Sequence, residues 1–319
     1  MASEFDLIRQ YFTRPTSHTN LGVGDDAALV TVDSGHELAI SVDMLVAGTH
    51  FLADTDPRQL GWKSLAVNIS DMAAMGAEPK WATLAIALPA ADEDWIAAFA
   101  EGFFACAERF KVDLIGGDTT RGPLCISVQI MGQLPTGQAL RRDGAKAGDE
   151  IWVSGQLGDA ALALNHLLSK YPLTDDELAI TLPALLQPQP RVALGLALSN
   201  IAHSAIDISD GLLADLGHIL NASSLGAELC LDDIPRSVTM QRHLINPSVL
   251  NMLLAGGDDY ELCFTAPADA HDRILLIAQE LGLALSCIGK TRAEPGLLVH
   301  DRQGNIIETG ASGFDHFRQ

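Results

Sequence analysis

The chain has few basic residues, and this shortage narrows the classes of partner it could bind. Its 319 residues include 20 Lys and Arg against 41 Asp and Glu, a formal net charge of −21 at pH 7. No basic stripe is available to neutralise a nucleic-acid backbone or an anionic membrane surface. We therefore expect neither as a partner, and a phosphorylated ligand would need cations in order to approach this protein.

Cysteine pairs, long apolar runs and a leader sequence are also missing. The five cysteines include no C-x-x-C pair, so a reducing cytoplasm is the expected compartment. No stretch of about 18 apolar residues could span a membrane, and the N-terminus lacks the basic and apolar segments of a signal peptide. Aromatic residues are scarce while Leu, Ala, Val and Ile are plentiful, which favours an α/β enzyme over a β-sandwich.

The common fingerprints of nucleotide and hydrolase sites are absent. Gly155 and Gly158 form a G-x-x-G without the Gly-Lys-Ser/Thr of a P-loop, and we interpret them as a tight turn. No G-x-G-x-x-G follows a predicted strand, and the chain has no G-x-S-x-G, H-E-x-x-H or paired-cysteine zinc pattern. P-loop, dinucleotide-fold, serine-hydrolase and zinc-protease chemistry are therefore not expected.

The chain does contain a long helix whose two ends can be read from the sequence. Asp56 is a good N-cap, Pro57 suits the first helical position, and Gly76 followed by Pro79 is a stop signal. The residues around its polar positions are Ala, Met and Val, so the helix should be mostly buried. Those polar positions, at helical spacing, are Ser64, Asn68 and Asp71.

Asp71 admits two interpretations, a solvated carboxylate at a helix end or a ligand for a hard cation. A buried carboxylate is costly unless it is paired or bound to metal. Further aspartates follow glycines or precede one, at residues 24–26, 116–118, 207–211 and 256–259. Such oxygen ligands on a flexible backbone suit Mg²⁺ or Ca²⁺. We predict that residues 116–118 form a turn after a short strand, and that Ser209 is the N-cap of a helix beginning at Asp210.

Predicted strands and helices interleave through residue 134, and a polar connector follows at residues 135–149. This pattern predicts an α/β (α+β) protein of two domains, residues 1–137 and 138–319.

Six motifs, in this order, resemble those of bacterial thiamine-monophosphate kinases, and the resemblance covers nearly the whole chain. They are Gly-Val-Gly-Asp-Asp-Ala-Ala (22–28), Ser-Val-Asp-Met-Leu-Val-Ala-Gly-Thr-His-Phe (41–51), Asn-Ile-Ser-Asp-Met-Ala-Ala-Met-Gly-Ala (68–77), Gly-Gly-Asp-Thr-Thr (116–120), Ile-Asp-Ile-Ser-Asp-Gly-Leu (206–212) and Gly-Gly-Asp-Asp-Tyr-Glu-Leu (256–262). The resemblance implies the two-domain fold of the aminoimidazole ribonucleotide synthetase-like superfamily. The N-terminal domain would bind magnesium and the ATP phosphates and would form a homodimer through its sheet. The C-terminal domain would complete the nucleotide and substrate site.

The resemblance also implies roles for individual residues. The magnesium ligands would be Asp26, Ser41, the Val42 backbone, Asp43, Asp71, Asp118, Asp207 and Asp210. The ATP contacts would be Gly117, Asp118, Arg142 and Ser209, and the substrate contacts His50, Asp258 and Phe314. Two of these depart from the family pattern, which often has glutamate at Asp258 and tyrosine or tryptophan at Phe314. From the residues alone, His50 could equally be a surface histidine and Phe314 an aromatic packed on the core.

The implied reaction is transfer of the ATP γ-phosphoryl group to thiamine monophosphate, giving thiamine diphosphate and ADP. The acceptor phosphate is already an oxyanion at neutral pH, so no catalytic general base is expected. Two alternatives stay open. One is a synthetase of the same superfamily that acts on a purine precursor, and the other is a divalent-cation-binding protein without catalysis.

Overall fold

A computed structural model describes residues 4–308, and the described chain falls into two compact units. The first comprises residues 4–72 and 77–137, and the second comprises residues 73–76 and 138–308. In this part of the chain, no helix combines the length and the apolar character needed to cross a membrane.

The first unit is built around a four-stranded sheet. The strands of this unit are β1 Thr19–Leu21, β2 Leu29–Val30, β3 His36–Val46, β4 Glu78–Leu88, β5 Asp113–Arg121 and β6 Cys125–Pro135, and its helices are α1 Glu4–Leu7, α2 Pro57–Ala74 and α3 Glu93–Phe110. The four strands of the sheet have the order β3-β6-β4-β5, in which only the β4–β5 pair is parallel. A separate two-stranded ladder joins β1 to β2. A π-helical turn, Ile8–Phe12, follows α1.

Helix α2 has the boundaries that its sequence predicts. The Asp56 carboxylate accepts a hydrogen bond from the Gln59 N–H at 3.0 Å, as an N-cap does. Gly76 has φ +67°, the left-handed conformation that ends a helix and that glycine adopts at no steric cost. The helix is almost wholly buried: Leu65, Ile69 and Met72 are at most 1% exposed.

The predicted turn at residues 116–118 is wrong, because β5 runs through it. Gly117 pairs with Leu84 of the parallel neighbour β4. It has φ +148°, and a Cβ there would lie 1.8 Å from the Leu84 carbonyl oxygen. Glycine is therefore required for close approach of two strands, and Asp118 projects from a sheet rather than from a turn.

The second unit contains a six-stranded sheet. Its strands are β7 Glu150–Ser154, β8 Ser204–Asp207, β9 Gly226–Cys230, β10 Leu262–Ala266, β11 Leu285–Arg292 and β12 Gly296–His300. They have the order β12-β9-β11-β7-β10-β8, in which only the β12–β9 pair is parallel. Its helices are α4 Asp159–Leu167, α5 Asp175–Leu186, α6 Val192–Leu198, α7 Leu212–Ser223, α8 Val238–His243, α9 Pro247–Ala255 and α10 His271–Leu281. The predicted mixture of helices and sheets in two parts is confirmed.

Candidate active site

In the first unit, the polar residues of α2 contact the strand β3. The Ser41 hydroxyl donates to an Asp71 carboxylate oxygen at 2.6 Å, and the Asp43 N–H donates to the Asn68 side-chain oxygen at 3.1 Å. Asn68 and Ser64 are fully buried, whereas Ser41, Asp43 and Asp71 are partly exposed. The structure thus brings together three of the predicted metal ligands, Ser41, Asp43 and Asp71, at one place.

Two other predicted ligands lie at a cavity in the same unit. Asp26 and Asp118 both line a space of about 640 Å³, together with Gly117. Its walls are partly apolar, from Phe12, Leu84, Leu114 and Ile115 among others. Both carboxylates are exposed, so they can accept a cation without first being desolvated.

His50 lies in the loop after β3, and one nitrogen of its ring is already engaged. The Val46 N–H donates to His50 Nδ1 at 3.0 Å. Since Nδ1 is the acceptor, the proton of the neutral ring sits on Nε2, which makes Nε2 a hydrogen-bond donor. Such a donor suits an anionic or carbonyl oxygen.

In the second unit, two aspartate-bearing loops are tied to each other through their backbones. The Asp258 N–H donates to the Ser209 carbonyl at 2.9 Å, and the Tyr260 N–H donates to the Ile208 carbonyl at 2.8 Å. A Cβ on Gly257 would lie 2.3 Å from the same Ser209 carbonyl oxygen, so glycine is needed for the approach. The predicted residues Ser209, Asp210 and Asp258 are thereby brought together.

The loop that carries Asp258 is conformationally strained. Asp258 and Tyr260 have φ +70° and +50°, values that side-chain-bearing residues seldom adopt, and the Tyr260 hydroxyl donates to the Asp258 carboxylate at 3.2 Å. Strain of this kind costs on the order of 1–3 kcal/mol per residue and persists where neighbouring contacts impose it, often at functional sites.

Asp215 organises the first of these loops, a role that the sequence did not reveal. One of its oxygens accepts hydrogen bonds from the N–H groups of Ser209, Asp210 and Gly211 at 3.0, 3.0 and 3.1 Å. Burial raises the Asp215 pKa to about 7, while these donors act to lower it and the charge of Asp210 acts to raise it. The prediction that Ser209 is an N-cap is wrong, because α7 begins at Leu212 after Gly211 and no side-chain cap is made there.

Asp259 and Glu261 support the second loop in a similar way. Both oxygens of Asp259 accept from the Gly158 N–H, at 2.9 and 3.0 Å, and burial raises the pKa of this carboxyl well above its usual range. Glu261 forms a two-point ion pair with Arg191 and accepts from the Ser154 hydroxyl at 2.5 Å. These partners are about 70 to 110 residues away in the chain, so no local pattern could have identified them.

The remaining predicted residues are placed as follows. Asp207 is buried at the end of β8. Arg142 opens a short 3-10 segment, Arg142–Gly144, where its carbonyl accepts from the Ser223 hydroxyl at 3.0 Å and its side chain is exposed. Val42, on β3, is 60% exposed. Phe314 lies outside the described residues.

The carboxylate and hydroxyl oxygens of these residues suit a hard cation, although the described side chains do not surround a metal ion by themselves. In residues 4–308, no three His, Cys, Asp or Glu side chains are grouped so that they could hold a metal ion. The predicted aspartate ligands therefore form no such group of three within the described residues. Magnesium typically binds to one or two carboxylates and completes its shell with water and substrate phosphates. Carboxylate and hydroxyl oxygens arranged in pairs fit that mode of binding.

Comparisons with known proteins place both halves of the chain in one class. Residues 24–134 match the family model of the AIR synthase related protein, N-terminal domain, and residues 146–302 match the model of its C-terminal domain. The two matches define a two-domain protein of the AIR synthase related class.

Individual relatives identify the family within this class. Thiamine-monophosphate kinase of Salmonella typhimurium is 45% identical over 318 residues, covering 98% of each chain. The crystal structure of thiamine-monophosphate kinase from Stenotrophomonas maltophilia K279a superposes with a TM-score of 0.84 at 49% identity, covering 88% of this chain and 91% of that one. A structure of AaThiL complexed with AMPPCP and TMP gives a TM-score of 0.78 at 29% identity, covering 90% and 89%. The chain belongs to the thiamine-monophosphate kinase family.

Proposed function

We propose that this protein uses ATP to phosphorylate thiamine monophosphate, forming thiamine diphosphate and ADP. The observation that carries the proposal is the 45% identity to a thiamine-monophosphate kinase along 98% of both chains. The hydrogen bond between Ser41 of β3 and Asp71 of α2 supports the proposal, because it brings two of the predicted oxygen ligands together.

Several magnesium ions would be held by these oxygens together with the nucleotide phosphates. In the first unit the ligands would be Asp26, Ser41, the Val42 backbone, Asp43, Asp71 and Asp118, and in the second unit Asp207 and Asp210. Magnesium supplies charge neutralisation and orientation of the phosphates. Two unit charges about 4 Å apart repel by roughly 4 kcal/mol at an effective dielectric constant of about 20, and the protein itself is strongly acidic. Without divalent cations, ATP and a second phosphate ester could not meet here.

The chemical step needs no proton acceptor from the protein. A phosphate oxygen of thiamine monophosphate attacks the γ-phosphorus, and a new P–O bond forms as the bond from the γ-phosphorus to the β,γ-bridging oxygen breaks. That oxygen leaves with its electron pair as part of ADP. The residues of this chain therefore act by binding and alignment, which can supply most of the rate enhancement of phosphoryl transfer.

The remaining roles follow the same proposal. Gly117, Asp118, Arg142 and Ser209 would contact ATP. His50 would donate from Nε2 to the substrate, because its Nδ1 is occupied by the Val46 N–H. Asp258 and Phe314 would contact the thiamine moiety.

We further propose a cytoplasmic homodimer that pairs through the sheet of the first unit, with residues 1–137 and 138–319 as its two domains. One face of the edge strand β3 presents a row of apolar side chains, Leu38, Ile40, Val42, Met44 and Val46, which are 36–60% exposed. Such a continuous row on one strand is typical of a surface that another subunit covers. The five free cysteines suit a reducing compartment.

An ADP-release assay with alternative acceptors tests the proposed reaction. With Mg²⁺ and ATP, we expect turnover with thiamine monophosphate and none above background with thiamine or with aminoimidazole ribonucleotide precursors. Turnover with a purine precursor instead would identify a synthetase. Binding of Ca²⁺ without any nucleotide-dependent turnover would identify a cation-binding protein.

A further inference from the structure

The loop just before α7 is held by a residue of that helix. Asp215, the fourth residue of α7, turns back so that a single carboxylate oxygen accepts from three consecutive N–H groups, those of Ser209, Asp210 and Gly211. Its side chain is part of the interior, with the residue 2% exposed. Three hydrogen bonds converge on this one oxygen, so the contact fixes the backbone of the loop.

This arrangement decides which groups the loop offers to a ligand. N–H groups at the start of a helix commonly bind phosphate directly. Here the N–H groups of Ser209, Asp210 and Gly211, in the loop just before α7, donate to Asp215, so these three donors cannot also bind an anion. The loop instead presents the side chains of Ser209 and Asp210, which are partly exposed and whose oxygens can bind a cation. Its chemistry therefore favours a cation, or a phosphate that arrives with a cation.

The other side of the same loop is held by its carbonyl groups. Those of Ile208 and Ser209 accept from the N–H groups of Tyr260 and Asp258. The peptide groups are thus fixed from two directions, with N–H toward Asp215 and C=O toward the second loop. Removal of either support would free the backbone to rotate.

We infer that Asp215 is a positioning residue for the magnesium–nucleotide site. It holds Ser209 and Asp210 in the orientation that binds the cation, and it does not itself contact the substrate. The inference rests on the proposed function for the identity of the ligand, whereas the structural role of Asp215 can be measured independently of any reaction.

Two substitutions separate positioning from a simple effect of charge. Asp215→Asn removes the negative charge but keeps an oxygen that can accept the three N–H groups, whereas Asp215→Ala removes the acceptor. If Asp215 positions the loop, the Km for magnesium–ATP should rise by about threefold in the Asn variant and by at least about tenfold in the Ala variant. The Km for thiamine monophosphate should change by less than about twofold in the Asn variant. If only charge matters, the two variants should be impaired equally, which would overturn the inference.

Amide hydrogen exchange provides a readout that does not depend on activity. The amides of residues 209–211 should be protected in the wild type and in Asp215→Asn, and should exchange faster in Asp215→Ala. Fast exchange in the wild type, or unchanged protection in the Ala variant, would contradict the inference. If the Ala variant does not fold, the Asn variant decides: its protection must be retained and its Km effect confined to the nucleotide. A wild type that is protected at these amides but transfers no phosphoryl group would count against the proposed function alone.

Asp113→Asn is the matched control. Asp113 is also a buried carboxylate that holds a loop, accepting from the N–H groups of Ser17 and His18 and from the Thr19 hydroxyl. Its substitution should lower thermal stability, as we expect Asp215→Asn to do, yet leave the Km for magnesium–ATP unchanged. An equal rise of that Km in both variants would show that Asp215 acts through general stability only.

Discussion

At the scale of single residues, the site depends on carboxylates whose surroundings differ. Asp71 is partly exposed and accepts a hydrogen bond from the Ser41 hydroxyl. Asp215 and Asp259 are buried, and burial raises the pKa of both. Both carboxylates accept hydrogen bonds from backbone N–H groups. The same residue type thus occupies two environments: Asp71, a proposed magnesium ligand, is partly exposed, whereas Asp215 and Asp259 are buried and accept hydrogen bonds from backbone N–H groups.

Asp71→Asn should preserve the fold and lower kcat by several orders of magnitude. The amide oxygen of asparagine can still accept from the Ser41 hydroxyl, but a neutral group binds magnesium weakly. The measurement is steady-state turnover over a range of Mg²⁺ concentrations, with circular dichroism as the check on folding. Asp56→Asn at the other end of α2 is the control, because asparagine caps a helix as well as aspartate does. Near-normal turnover of Asp71→Asn at limiting magnesium would contradict the metal-binding role.

At the scale of elements, α2 and α3 approach so closely that their glycines are required. A Cβ on Gly102 would lie 1.8 Å from the Arg58 carbonyl oxygen, and one on Gly61 would lie 2.0 Å from the Phe99 carbonyl oxygen. Each glycine thus accommodates the backbone of the other helix. Because α2 carries Asn68 and Asp71, this contact helps to fix their position relative to the sheet.

Gly102→Ala should therefore destabilise the protein, by about 1–3 kcal/mol or more, because a backbone carbonyl cannot rotate away as a side chain can. Gly217→Ala, in α7, provides the contrast, since a Cβ there meets no atom within 4 Å. Alanine should stabilise that helix by about 0.5–1 kcal/mol. Urea unfolding of both variants is the measurement. Similar effects of the two substitutions would contradict the close helix contact.

At the scale of elements, the sequence predicts the ends of a helix better than it predicts contacts between distant segments. The ends of α2 were predictable because the N-cap and the terminal glycine act on their own neighbours. The strand through Gly117 was not, because a glycine-rich segment looks like a turn until a partner strand, here β4, extends it. Ser209 resembled an N-cap, but α7 begins at Leu212. The N–H groups of residues 209–211 donate to Asp215, which is six residues further on than Ser209. The contact of Asp259 with Gly158 joins residues 101 apart, and nothing local indicates it. The contacts that hold these loops were therefore not predictable from the local sequence.

At the scale of the whole molecule, an acidic chain must bring two polyanions together, and its proposed dimer must cover an apolar strand face. With a net charge of −21, the proposed divalent cations would be required for the two phosphorylated ligands to bind. The apolar face of β3 belongs to the strand that carries Ser41 and Asp43. Association through this strand would therefore help to hold the proposed magnesium ligands Ser41 and Asp43 in place.

Ile40→Lys combined with Met44→Lys should convert a dimer into a monomer, because two charges would be buried in an apolar interface. Both side chains are 57% exposed in the single chain. Light scattering after size-exclusion chromatography should give twice the 33.9 kDa chain mass for the wild type and one chain mass for the variant. Ile180→Lys on α5 is the control, since Ile180 is equally exposed, at 59%, on another element. A monomeric wild type, or a double variant that stays dimeric, would contradict the proposed interface.

The most direct test of the central claim is to follow the transferred group itself. The protein is incubated with Mg²⁺, thiamine monophosphate and ATP labelled at the γ-phosphorus, and the products are separated. The account predicts that the label appears in the terminal phosphate of thiamine diphosphate, with one ADP formed per labelled product and no transfer once the magnesium is chelated. Label found only in inorganic phosphate, or transfer that persists without divalent cations, would contradict it.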